Sequence, residues 1–566
     1  MKKRVNMEKN RTPVVFVLIL AGVVAVLGIV AFAIGRVTPT KERMDLKSYY
    51  NITSDDEVAI ITDDGVEEVN GRIIDGEIFL PYDEVSNDIS GSIFYDDVAG
   101  TMIVTTPTEK MRFDAANEIR VVDDVRYVAL GLVYDYANAE ITQLEDPARV
   151  VIKTRFKCNA ETAVSDAYVR YRAAIKSKVL TEVKKGTQVK VIDVKADGSA
   201  DSRKVDGWTM IQTDDGFLGY VEDKYLDGKV AVREDEPVVK TGEYTHILRD
   251  DKINLVYHQV TSQASNDALM QSLTNVTGIN VIAPTWFYLD SSAGDQTAIA
   301  AASYVQTAHS LGLQVWAVMN DFDGKVNSPS DTMAALSSDA VREKLVADTI
   351  AMTLASGADG INIDYENVSE ECAPYFLQFV REMSIGCRNS GLILSICDYV
   401  PAYTKYLNRR EQARVADYVI CMCYDEHLPG SPEAGSVSSI SFVKDGINDT
   451  LDEVPPEQII VAVPFFTRLW MTTSEEAPAS NVFGMGDAWN WVTETGLEVN
   501  WDNEAAQNYV EMQDDVTYYQ MWLEDTASIE EKVKIIREND CAGVAEWKLG
   551  LETSDVWAVI ADNLAG

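Results

Sequence analysis

The stretch Asp359-Gly-Ile-Asn-Ile-Asp-Tyr-Glu366 alternates apolar and polar residues without a break. A strand sends every second side chain to the same face, so Asn362, Asp364 and Glu366 form one inward-facing polar row, with neighbours about 6.6 Å apart. Buried carboxylates without partners are strongly disfavoured. A row of acids inside a fold is therefore kept where a ligand or a proton transfer uses it. The bland alternative is a strand that merely ends in solvated acids.

Seven further short, largely apolar runs surround this one: Ile253–Tyr257, Ile279–Ala283, Val315–Met319, Leu392–Ile396, Tyr418–Met422, Ile459–Val463 and Val544–Trp547. Helical patterns such as Ala298–Leu311, Ser338–Ala355 and Ala373–Asn389 lie between several of them. Eight strands alternating with helices over residues 244–566 predict a C-terminal (β/α)8 TIM barrel, in which chemistry sits at the C-terminal ends of the strands.

The motifs on those ends resemble glycoside hydrolase family 18, the chitinase-like family, whose fourth-strand signature is Asp-Gly-x-Asp-x-Asp-x-Glu. Asp359, Gly360, Asp364 and Glu366 match it. In order along the chain, Met422-Cys-Tyr-Asp425 resembles the sixth-strand motif and Val463-Pro-Phe-Phe-Thr-Arg-Leu-Trp470 the seventh. Trp522-Leu-Glu-Asp-Thr-Ala-Ser-Ile-Glu-Glu-Lys532 and Gly543-Val-Ala-Glu-Trp-Lys-Leu-Gly550 resemble the segments at the eighth. Two departures stand out. Asn362 replaces an acid, and Trp316-Ala-Val-Met-Asn320 lacks the family's Ser-x-Gly-Gly. Together with Pro284-Thr-Trp-Phe-Tyr288, they look more like the spore-cortex and cell-envelope branch than like secreted chitinases.

The resemblance implies substrate-assisted, retaining cleavage of β-1,4 bonds in glycans that carry N-acetylglucosamine, because the sugar's own acetamido oxygen attacks the anomeric carbon. It implies Glu366 as the acid and later the base, Asp364 as the group holding the acetamido N–H, and Tyr424 as the partner of the acetamido oxygen. Trp547 is expected to form the floor under the sugar, with Asp425, Arg468, Tyr257 and Trp286 as candidates for the cleft wall. Asp359 and Asn362 are supporting residues, Asp359 bracing its strand. No metal and no organic cofactor is implied. A non-catalytic, lectin-like glycan binder and a structural wall tether remain alternatives, and the presence of Glu366 favours the enzyme.

Ahead of the barrel, residues 55–157 hold short β-branched or aromatic runs split by Asp-Gly, Asn-Gly and Ala-Gly turns. The stretches Asn70-Gly-Arg-Ile-Ile-Asp-Gly-Glu-Ile-Phe-Leu-Pro81 and Ile93-Phe-Tyr-Asp-Asp-Val-Ala-Gly-Thr-Met-Ile-Val104 resemble the copper-amine-oxidase N-terminal-like domain of bacterial envelope proteins. That resemblance implies a stalk or carbohydrate-proximal module, not copper. Residues 160–230, with Val183-Lys-Lys-Gly-Thr-Gln-Val-Lys-Val-Ile192, Gly207-Trp-Thr-Met-Ile-Gln212 and Gly216-Phe-Leu-Gly-Tyr-Val221, look like a bacterial Src-homology-3-like domain, a module that often contacts the cell wall. Residues 37–54 and 231–243 read as linkers. The chain is thus expected to be multidomain, with two small β-rich domains before the barrel.

Residues 1–36 read as a cytoplasmic tail and a single membrane anchor. Pro13 to Ile34 is 22 residues without a charge; as a helix it would span about 33 Å against a hydrocarbon core of about 30 Å. Lys2, Lys3, Arg4, Lys9 and Arg11 precede it against Glu8 alone, which places the tail in the cytoplasm and the barrel outside the cell. A cleaved secretory signal is the rival, since Ala31-Phe32-Ala33 resembles a cleavage site, although the apolar run is long for one. Over all 566 residues, 90 Asp and Glu outweigh 49 Lys and Arg, a net charge of −41. That balance repels phosphate backbones and argues against nucleic acid as a partner. An acetamido-sugar polysaccharide, of the peptidoglycan or chitin type, is the expected ligand. Seven irregularly spaced cysteines suit buried thiols rather than a disulfide framework.

Overall fold

The computed structural model describes residues 12–194, 201–473 and 476–565. Two compact units divide the chain: residues 1–90 with 117–240, and residues 91–116 with 241–566.

Within the second unit, eight strands form the barrel: β1 (Ile253–His258), β2 (Val281–Leu289), β3 (Gln314–Asn320), β4 (Gly360–Asp364), β5 (Ile393–Tyr399), β6 (Tyr418–Met422), β7 (Ile459–Pro464) and β8 (Gly543–Trp547). Each pairs in parallel with its sequence neighbours, and β1 pairs with both β2 and β8, so the sheet closes. The expected (β/α)8 architecture is present. Alternation along the strands divides the core into two layers. Leu255, Tyr257, Val281, Trp316, Val318, Tyr418, Met422 and Ala545 fill the interior. Val256, Ile282, Val315, Ile361 and Ile363 point outward against helix residues such as Tyr304, Leu345, Phe376 and Phe379.

Local chemistry sets the entry into β4. The helix Asp339–Ser356 stops at Gly357, whose φ of 80° is the left-handed conformation that a side chain would strain. Three residues later a Cβ on Gly360 would lie 2.8 Å from the carbonyl oxygen of Ile393. The glycine of the Asp-Gly motif therefore lets β4 and β5 approach closely.

A three-stranded sheet, Ile93–Asp96, Thr101–Thr105 and Lys110–Asp114, belongs to the same unit as the barrel. Its anchor is the fully buried Arg342, which reaches Asp96 at 2.9 Å, Glu382 at 3.1 Å and the Leu336 carbonyl at 2.7 Å. Lys110 adds a contact to Glu382 at 2.9 Å. Between β7 and β8 the chain builds a five-stranded antiparallel sheet starting with Phe466–Thr473.

In the first unit, two seven-stranded sheets are present, one over residues 57–153 and one over residues 157–234. They share a core in which Ala59 and Ile61 meet Val169, Leu180 and Val221. All seven cysteines are free, six of them buried.

The expected membrane-crossing segment is not met among the described residues, where no helix is long and apolar enough to cross a membrane. Thr12–Val37 is one helix, but the side chains of residues 12–15, 28 and 31–34 lie outside the description.

Candidate active site

Asp364 ends β4 and Glu366 follows two residues later, at the C-terminal mouth of the barrel. Opposite them, β5 contributes its own inward row of Ser395, Cys397 and Tyr399. The two rows engage side chain by side chain. Asn362 Nδ2 donates to Ser395 Oγ at 2.9 Å, the Cys397 thiol donates to Asn362 Oδ1 at 3.3 Å, and the Tyr399 hydroxyl donates to Glu366 Oε2. Tyr257 of β1 joins from the far side, its hydroxyl 3.4 Å from Asn362 Oδ1 and 3.0 Å from Cys397 Sγ.

The backbone under Glu366 is fixed by Asp321, the residue after β3. Asp321 Oδ1 accepts the Glu366 N–H at 2.9 Å, and its Oδ2 accepts the Thr332 hydroxyl at 2.7 Å. The loop that presents the acid is tied to a neighbouring strand end.

Electrostatics follow from burial. Glu366 is pushed up to about 7, mainly by loss of hydration; the Tyr399 hydrogen bond pulls the other way, and the charges of Asp321, Asp425 and Asp323 raise it further. Asp364 lies well above the usual carboxylate range through burial first and the Glu366 charge second, with the Cys397 thiol opposing. The two acids therefore keep a shared proton near neutrality. Among the described residues Asp364 Oδ1 has no hydrogen-bond partner. Tyr424 is buried beside the pair, and burial followed by the Asp364 charge keeps its phenol protonated.

Trp547 ends β8 only partly covered, its ring centroid 5.5 Å from that of Tyr257. Asp425 adopts φ of 57° and faces Arg468 Nη2 at 3.4 Å; Arg468 comes from the first strand of the inserted sheet. Burial raises the Asp425 carboxyl, and the guanidinium opposes it. Asp359 sits at the other end of β4, its Oδ2 2.9 Å from His309 Nε2 and 2.8 Å from the Val315 N–H. It holds the strand and takes no part in the mouth.

Trp286, expected in the cleft wall, requires correction. It is fully buried in the layer between strands and helices, donating Nε1–H to Asn266 Oδ1 at 2.9 Å and packing edge-on against Tyr304. The register of β2 against β3 shifts between Thr285 and Phe287. Val281 and Ala283 face the interior and Ile282 the helices, so alternation alone turns Trp286 outward, and the bulge adds Phe287 to the same layer. Tyr399, Cys397 and Asp321 were not anticipated. Extending the alternation of the fifth run past Ile396 would have reached the first two; nothing local marks Asp321.

Residues 317–552 match the family described as Glycosyl hydrolases family 18, and residues 165–227 match the bacterial SH3 domain. A cortical fragment-lytic enzyme of Bacillus subtilis (strain 168) is 24% identical over 238 residues, which are 40% of this chain and 55% of that protein. The chain spans about half the length of the curated relatives it matches. Among solved structures, the spore cortex-lytic enzyme SleL of Bacillus cereus aligns over 59% of this chain and 78% of its own at 19% identity, with a TM-score of 0.50. A chitinase of Chromobacterium violaceum aligns over 56% and 99% at 19% identity, also with a TM-score of 0.50. These likenesses establish the fold.

Proposed function

From a barrel that belongs to glycosyl hydrolase family 18, we propose that the protein cleaves β-1,4 bonds of N-acetylglucosamine-containing glycans by substrate-assisted, retaining catalysis. The observation that supports this best is the buried pair Asp364 and Glu366, which retains a proton near neutrality beside Tyr424 and the partly open face of Trp547. Glu366 delivers its proton to the glycosidic oxygen as the bond to C1 breaks, and the acetamido oxygen bonds to C1 from the opposite face. Asp364 Oδ1 takes the acetamido N–H, which localises the positive charge of the oxazolinium ion. Tyr424 donates to the acetamido oxygen and aligns it. Glu366, now ionised, then takes a proton from water, whose oxygen opens the oxazolinium at C1 with overall retention. The sugar ring rests on Trp547.

Peptidoglycan is the substrate we favour, because cortical fragment-lytic and cortex-lytic enzymes are among the proteins this chain resembles. The proposal includes a membrane anchor at residues 13–34, as the charge pattern around that apolar run suggests, an extracellular barrel, a cell-wall contact through the SH3-like domain, and a copper-amine-oxidase-like module over residues 55–157. Digestion of purified peptidoglycan, chitooligosaccharides and cello-oligosaccharides, followed by analysis of new reducing ends, tests the chemistry. Products from the acetamido glycans alone are expected. Equal cleavage of glycans with a hydroxyl at C2 overturns the mechanism, and binding without products points to a lectin. Protease access to the C-terminus on intact cells tests the topology.

A further inference from the structure

We propose that Tyr399 is a positioning residue for the acid: its phenol holds Glu366 Oε2 and so leaves Oε1 to carry the proton to the glycosidic oxygen. The inference rests on the reading of Glu366 as proton donor.

Tyr399 closes β5 directly across from the catalytic row, in line with Cys397 and Ser395, which bond Asn362 one and two steps deeper, the thiol as donor and the hydroxyl as acceptor. A phenol has one proton to give, and burial followed by the neighbouring Glu366 charge keeps it on the oxygen. The bond is therefore strongest when Glu366 is ionised. Every other group facing Glu366 acts differently. Asp364 on β4, Asp321 and Asp323 after β3, and Asp425 after β6 are all acids, and Arg468 is turned to Asp425 at 3.4 Å. Tyr424 is a buried phenol that feels the Asp364 charge before that of Glu366. Tyr399 is thus the donor that offsets burial and like charge.

A group that must give a proton in one step and take one in the next works best with a proton affinity near the working pH. Without Tyr399, Glu366 would hold its proton to higher pH and become a weaker acid toward the glycosidic oxygen. It would also be free to turn either oxygen to the sugar.

The test is Tyr399→Phe, with Tyr399→Met as the second variant should the first not fold. The basic limb of the kcat/KM profile on chitooligosaccharides, which reports the protonated acid, should move up by about one pH unit, with kcat at neutral pH reduced on the order of tenfold. A limb in the wild-type position overturns the proposal. Infrared titration of the carboxyl band, taken as the difference from Glu366→Gln, reads the same upward shift with no turnover. A wild-type chain that cuts no acetamido glycan would therefore sink the proposed function, while the titration alone decides Tyr399; identical titrations in wild type and Tyr399→Phe refute its role.

Discussion

Asn362 and Ser395 face each other across β4 and β5 in register, the amide nitrogen 2.9 Å from the hydroxyl oxygen. The same amide accepts from Cys397 and Tyr257. Where the family carries an acid, this barrel has a neutral side chain bonded on both of its ends, and the negative charge of the row is confined to Asp364 and Glu366.

Asn362→Asp should therefore be costly. It exchanges a satisfied donor for a third buried carboxyl facing the Ser395 hydroxyl, and a loss of about 1–3 kcal/mol is expected. Because burial would hold the new carboxyl protonated in the folded state, folded protein would bind more protons than unfolded, and the loss should be larger at pH 8 than at pH 5. Urea unfolding at the two pH values measures it.

Glu366→Gln should abolish turnover by 10²-fold or more while keeping sugar affinity, and should also stabilise the barrel at alkaline pH. The folded-state carboxyl is raised from 4.5 to about 7, so the contribution of Glu366 to stability is greatest below pH 4.5, falls as pH rises to about 7 and levels off beyond. The penalty amounts to about 3 kcal/mol at pH 8. The variant's melting temperature should exceed that of wild type at pH 8, with the gap closing at pH 4.5.

Arg342→Ala should lose about 3–5 kcal/mol, because it leaves Asp96 buried without its cation and Glu382 with Lys110 alone. Arg112, more exposed and paired with Asp339 at 2.7 Å, should contribute at most about 1 kcal/mol. Chemical denaturation of Arg342→Ala and Arg112→Ala side by side checks the contrast.

Trp547→Ala and Trp286→Ala should separate binding from packing. The first removes a partly open ring at the mouth and should weaken oligosaccharide binding on the order of tenfold with little change in stability. The second empties a fully buried site and should cost about 3–5 kcal/mol with no direct effect on affinity. Calorimetric titration and thermal unfolding of both variants supply the comparison.

The row Asn362, Asp364, Glu366 and the barrel around it were legible because their signal is local: a period of two in the strand and apolar runs separated by helical patterns. Trp286 misled because its motif suggested the cleft, although alternation from the inward Val281 already turns residue 286 toward the helices. Tyr399 and Asp321 reach Glu366 from strands whose own sequences say nothing of what they face.

What the amino-acid order determined by itself is therefore the periodic content: eight strands, the polar row on the fourth, and the motif residues Asp364, Glu366, Tyr424 and Trp547. Closure of the sheet decided the rest. It brought the Tyr399 phenol to Glu366, the Asp321 carboxylate to the loop beneath it and residues 91–116 into the barrel's unit, because contacts between distant segments depend on strand register and on which surfaces remain to be buried, and neither quantity exists until the chain has folded.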